Sequence, residues 1–269
     1  MYAQRLFARP VLVKSILAAM LAVFAWLVPL HGAQAQAPTG SPIKIGAVIA
    51  LTGPGAGLGI PERNGMLLAE RVINEKGGIK GRPIKLIIED DSSKPDIAKS
   101  KAERLIHEEK VVALIGPSLT ASTGAVGAVT HGIPLVHIVF TGLGPQIEST
   151  YKNMFHVLPP HTLNAKALLE YATKALKAKR IGVLHDSGYG SVVMGALKTV
   201  AGDYHVEFVS VEKFEVGASD VTAQAAKVKA ANPDVVFVVA TSPIPFRNAK
   251  QVAIKAPILA AIGSATYEY

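Results

Sequence analysis

The 269 residues include no cysteine, a single tryptophan and only 6% aromatic residues. Without cysteine there is no disulfide framework and no thiol for nucleophilic attack, metal binding or lipid attachment, so stability must come from a buried core. Metal-ligand spacings are also missing: the eight histidines form no HExxH and no ligand pair, which leaves metal chemistry without support. Like charges never run to five or six, and no nucleic-acid motif occurs, so the basic residues read as solvated helix faces. No repeat of short period and no low-complexity stretch is present.

What is present begins with Arg5, Arg9 and Lys14 ahead of an apolar run from Ser15 to Leu30. That run has 16 residues and is broken by Pro29, whereas a bilayer needs about 20. Small residues at Ala33 and Ala35 follow, so residues 1–35 read as a secretory signal peptide cleaved after Ala35, because Pro38 would follow the alternative cut after Ala37. The expected location is the periplasm. The remaining 234 residues carry 25 basic and 20 acidic groups, a net +5, which is mild and implies no nucleic-acid partner.

From Ile43 onward, short β-branched runs alternate with helical patterns, which predicts an α/β fold of parallel sheets flanked by helices. Strands are expected at 43–51, 84–89, 111–115 and 134–139, with helices near 61–76, 95–106 and 121–130. Met66, Ala69 and Ile73 form the apolar face of the first helix, and Ala98, Ala102, Leu105 and Ile106 that of the second. The segment His156-Val157-Leu158-Pro159-Pro160 interrupts the pattern and marks a crossover. A second series then places helices near 162–176, 190–201, 221–231 and 246–252, with strands at 180–184, 206–211, 235–239 and 258–261. Two such series joined by prolines predict a lobe at 41–157, a second at 158–269, and a ligand cleft between them.

Several segments, in order, resemble the periplasmic leucine/isoleucine/valine-binding proteins, the type I solute-binding proteins of ABC transporters. They are Ile43-Lys44-Ile45-Gly46, Leu51-Thr52-Gly53-Pro54, Asn74 to Arg82, Glu89-Asp90-Asp91, Ile115-Gly116-Pro117-Ser118, His185-Asp186 and Tyr189-Gly190. The resemblance implies a two-lobed periplasmic-binding-protein type I fold, no enzymatic activity, no cofactor, and a monomer that delivers its ligand to an inner-membrane ABC permease. A ligand-sensing receptor domain is the alternative use of the same fold. Family members are longer and return to the first lobe, so the C-terminal part of the second lobe is expected to be missing here.

In a cleft that takes a carboxylate, a helix N-terminus offers free N–H groups and the positive dipole end to the anion. Gly116 to Ser122 supplies one, with hydroxyls at Thr120 and Ser122; the resemblance puts the carboxylate at Thr120. It further implies contacts from Thr141 with Gly142 behind it, from Tyr189 and Thr241 in the second lobe, and a side-chain wall at Leu58. Amino-acid-binding members carry an acid after the strand that here is 258–261. Gly263-Ser264-Ala265-Thr266 has none, and Glu268 fits only in a shifted loop. A buried ammonium without a counter-charge is costly, so the expected ligand is a small aromatic or branched aliphatic monocarboxylate, with a branched-chain amino acid as the alternative.

Two enzyme readings are weaker. Gly53, Gly55, Gly57 and Gly59 make no G-x-G-x-x-G, and Ser118 lacks the second glycine of a nucleophile elbow. His131 and His137 read as helix-end and strand residues, and His161 as a group facing either the cleft or solvent.

Overall fold

The computed structural model describes residues 37–144 and 149–264. The predicted signal segment and its cleavage site, and the positions Ala265, Thr266 and Glu268, lie outside them. Two wholly parallel sheets organise the described residues. The first has the order β2-β1-β3-β4-β5, from β1 (Ile43–Ile49), β2 (Ile84–Asp90), β3 (Ala113–Ile115), β4 (Val136–Val139) and β5 (Met154–His156). The second has the order β7-β6-β8-β9, from β6 (Arg180–Asp186), β7 (Glu207–Phe214), β8 (Val235–Val239) and β9 (Ile258–Ala260). In each sheet the first strand of the series sits inside, so the chain winds outward in both directions from it. Ligand crevices in such sheets open at the carboxyl ends of the strands, where the winding reverses.

Side-chain alternation decides which helix covers which face. In β1, Val48 points to α2 (Pro95–His107) and α3 (Thr120–Thr130), whereas Ala47 and Ile49 point to α1 (Ala56–Glu75). On α2 the expected stripe Ala98, Ala102, Leu105 and Ile106 is buried throughout. Pro95 opens that helix and Arg104 and His107 close it, in keeping with its dipole. In the second sheet all five residues of β8 are buried. α4 (His161–Lys174) and α5 (Tyr189–Val200) cover one face, α6 (Thr222–Ala230) and α7 (Ile244–Gln251) the other. A continuous apolar strand is what two covered faces require.

The structure departs from the sequence reading at α1. The helix starts at Ala56, a turn and a half before Pro61, which lies inside it without the N–H that would have bonded the Gly57 carbonyl. Consequently the docked face runs through Gly59, Met66 and Ile73 at intervals of seven, and Ala69 is exposed. β5 was not expected; three residues are too few for an alternating pattern to register. On the α1 side of this sheet, Val136 of β4 and Phe155 of β5 are 47% and 55% exposed.

Gly59 sets how closely α1 approaches β1. A β-carbon there would lie 2.1 Å from the Ala50 carbonyl oxygen, whereas one at Gly65, in the same helix, would meet nothing within 4 Å. Gly59→Ala is expected to cost about 1–3 kcal/mol by forced displacement, and Gly65→Ala to add about 0.5–1 kcal/mol through helix propensity. Urea unfolding of the two variants checks this, and equal effects would contradict the docking of α1.

Candidate functional site

A cavity of about 490 Å³ lies at the carboxyl ends of both sheets. From the first sheet it is bounded by α1, the turn after β2, the β3–α3 loop and the end of β4. From the second it is bounded by the β6–α5 turn and the segments after β7, β8 and β9. Leu58, Thr120, Ser122, Thr141, Tyr189 and Thr241, all expected at a site, line this one space. Gly142 is buried behind Thr141 and is not among the lining residues.

The start of α3 is the polar centre. Leu119 is extended, so the helix opens abruptly, and no side chain caps it. Thr123 turns its hydroxyl back onto the Leu119 carbonyl at 3.0 Å, and no side chain of the described residues caps the first amides of the helix. Thr120 Oγ1 and Thr141 Oγ1 are 3.0 Å apart and hold the β3–α3 and β4 loops in register. Ser122 is fully buried, and its hydroxyl faces the Asp91 carboxylate, which it helps to stabilise. Hydroxyls merely capping a helix would be engaged with its amides; these are not.

A histidine braces that loop from behind. His137 is fully buried in β4; its Nε2 donates to the Gly116 carbonyl at 2.7 Å, while Nδ1 accepts from Thr130 Oγ1 at 3.1 Å. Burial pushes it down to about 4, so the ring is neutral and the tautomer is fixed by these two bonds.

In the second sheet, Asp186 organises the opposite wall. Its Oδ1 accepts from the amides of Gly188 (3.0 Å) and Gly190 (2.7 Å), and its Oδ2 from the amide (3.0 Å) and hydroxyl (3.2 Å) of Thr241. Burial raises its carboxyl above the usual range, and the amides of Gly190 and Thr241 oppose that. Tyr189 is buried; its hydroxyl accepts from Asn164 Nδ2 at 3.0 Å and the Gly263 amide at 3.1 Å, fixing the turn after β9. His161 faces neither cleft nor solvent. It is buried edge-on against Tyr189, ring centroids 5.5 Å apart, with Nε2 unpartnered among the described residues. At the mouth, Gly217 with φ of 87° packs on Pro54, where a β-carbon would come within 2.7 Å of Cγ.

Sequence reasoning missed Glu62. It lies one helical turn after Leu58 on α1, lines the cavity, and accepts a hydrogen bond from Ser118, whose own Oγ accepts the Ala50 amide at 3.2 Å. Burial drives its carboxyl up to about 7; Ser118 opposes the shift and the neighbouring Asp91 adds to it. Asp91 is fully buried, accepts the Ser93 amide at 2.7 Å, and is itself raised by burial, which the Ser93 amide and the Ser122 hydroxyl oppose. A helix that began at Pro61 would have put Glu62 in a first turn, where acids are ordinary.

The unfolded chain ionises Glu62 near 4.5 and the folded chain near 7, so the native state loses stability as pH climbs through that interval. Glu62→Gln keeps an acceptor for Ser118 and escapes the loss. The variant is expected to match the native chain near pH 4 and to exceed it by about 3 kcal/mol near pH 8 in urea unfolding. A difference independent of pH would contradict the buried carboxyl.

Comparison with known proteins agrees with this architecture. A periplasmic binding protein family model matches residues 42–254. Leu/Ile/Val-binding protein homolog 3 of Brucella melitensis is 28% identical over 197 residues, 72% of this chain and 53% of that protein. An amino acid binding protein of Pseudomonas aeruginosa is 29% identical over the same shares. The chain therefore spans about half the length of the curated relatives it matches. Among solved structures, the branched-chain amino acid transporter substrate binding protein LivJ of Streptococcus pneumoniae, in complex with isoleucine, superposes with a TM-score of 0.74 at 26% identity. The match covers 81% of this chain and 64% of that one. An extracellular ligand-binding receptor of Rhodopseudomonas palustris gives 0.72 at 29%, covering 81% and 60%. The two parallel sheets and the cavity at their carboxyl ends are the type I arrangement, and the chain belongs to the periplasmic binding protein family.

Proposed function

We propose that this chain is the solute-capturing component of an ABC uptake system, working in the periplasm without catalysis, and that its cleft takes a small amino acid with an aliphatic side chain. The observation that carries the reading is the uncapped start of α3, opening with Thr120, Thr141 and Ser122 into a cavity otherwise walled by groups such as Leu58, Phe140, Val157 and Ile262. Free amides and hydroxyls receive the carboxylate, and the apolar wall receives the side chain. Several relatives are named for leucine, isoleucine and valine, which supports the amino acid over a simple acid. Thr241 and Tyr189 stand on the second sheet, so a ligand touching both walls favours the closed arrangement that a permease in the inner membrane would read.

A second reading, an aromatic or branched aliphatic monocarboxylate, is favoured by one observation: Ala261 to Ser264, the described stretch after β9, carries no acid to face an ammonium. Calorimetric titration with leucine, isoleucine, valine and 4-methylpentanoate separates the two. Thr120→Val removes a hydroxyl from the anion site and is expected to weaken every ligand that binds by about 10- to 100-fold. Unchanged affinity for all of them would place the site elsewhere.

A further inference from the structure

Among the described residues the cavity wall contains one carboxyl, that of Glu62, and no lysine, arginine or histidine. A ligand carboxylate held at the start of α3 lies close in sequence to Ser118, the residue that bonds Glu62. The charged group packed against Glu62 is another acid, Asp91 at the end of β2, while Arg63 beside it turns to Asn64 on the surface. Among the described lining residues nothing cationic therefore offsets the meeting of a ligand carboxylate with these acids. A ligand that brings its own ammonium does offset it.

We propose that Glu62 is the group that receives the ammonium of the ligand, so that a counter-charge the described stretch after β9 does not carry is supplied from α1 in the other half of the cleft. This rests on the amino-acid reading above and assigns its specificity: α-amino acids are selected over simple acids because only they present a cation to Glu62. Ser118 holds the carboxyl in place through one oxygen and leaves the other for the ligand.

The arrangement links binding to protons. Near neutrality Glu62 is shared between its acid and carboxylate forms. An ammonium selects the carboxylate, and the proton leaves to solvent. A monocarboxylate selects the acid form and draws a proton in.

Calorimetry in buffers of different ionisation heat, using L-leucine and 4-methylpentanoate, reads both signs. Near pH 6, leucine is expected to release up to about one proton per site and to bind more tightly as pH approaches 7, whereas 4-methylpentanoate takes up almost none there and up to about one near pH 8. Glu62→Gln is expected to weaken leucine about tenfold or more and to tighten 4-methylpentanoate near pH 8, and to abolish the proton release with leucine near pH 6 and the uptake with 4-methylpentanoate near pH 8. Thermal unfolding of the variant confirms that it is folded. Leucine binding to Glu62→Gln with native affinity and native proton release, or equal loss of both ligands, overturns the proposal. A native chain that binds neither ligand overturns the amino-acid reading itself and this assignment with it, an outcome distinct from native leucine binding that Glu62→Gln leaves untouched.

Discussion

The rest of the site depends on amides at the head of α3 that no side chain of the described residues caps. Such donors at a helix start are open to an anion or to water. Here the nearby hydroxyls are committed elsewhere: Thr123 to the Leu119 carbonyl, Thr120 to Thr141, Ser122 toward the Asp91 carboxylate. His137 fixes the loop that carries them by gripping Gly116. Thr120 is half-buried and Ala121 exposed, so an anion entering the cavity would take the place of water on donors that the described protein groups leave free.

Burial acts in opposite senses on the two titratable groups that flank this head. Glu62 is pushed toward neutrality from above its usual range and His137 from below it, so both prefer to be uncharged where the loop is packed. With rising pH, stability falls through the interval between 4.5 and about 7 on account of Glu62. It rises between about 4 and 6.5 on account of His137. The two trends offset over much of mildly acidic pH, which lets the site hold an ionisable carboxyl without making the fold sharply acid- or base-sensitive.

Much of this was legible in the residues. The stripe on α2 and the continuous apolar run of β8 announce themselves by period and by two-sided burial, and six expected cleft residues line one cavity. What was not legible had local causes. Pro61 draws the eye to a helix start that tertiary packing moved to Ala56, and with it went the chance to see Leu58 and Glu62 as one face. A glutamate on a helix reads as solvated surface; only the docking of α1 through Gly59 turns it inward. Asp186 stood out by resemblance, but its four bonds join segments 55 residues apart, which no spacing rule encodes.

Those bonds give the second wall a particular mechanical character. Asp186 fastens the end of β6, the entry to α5 and the segment after β8 through a single carboxylate, and Tyr189 adds the turn after β9. Loops tied in this way have little freedom left to lose, so a guest of the kind proposed above would meet this side of the cleft as a finished mould rather than one that adapts to each molecule in turn.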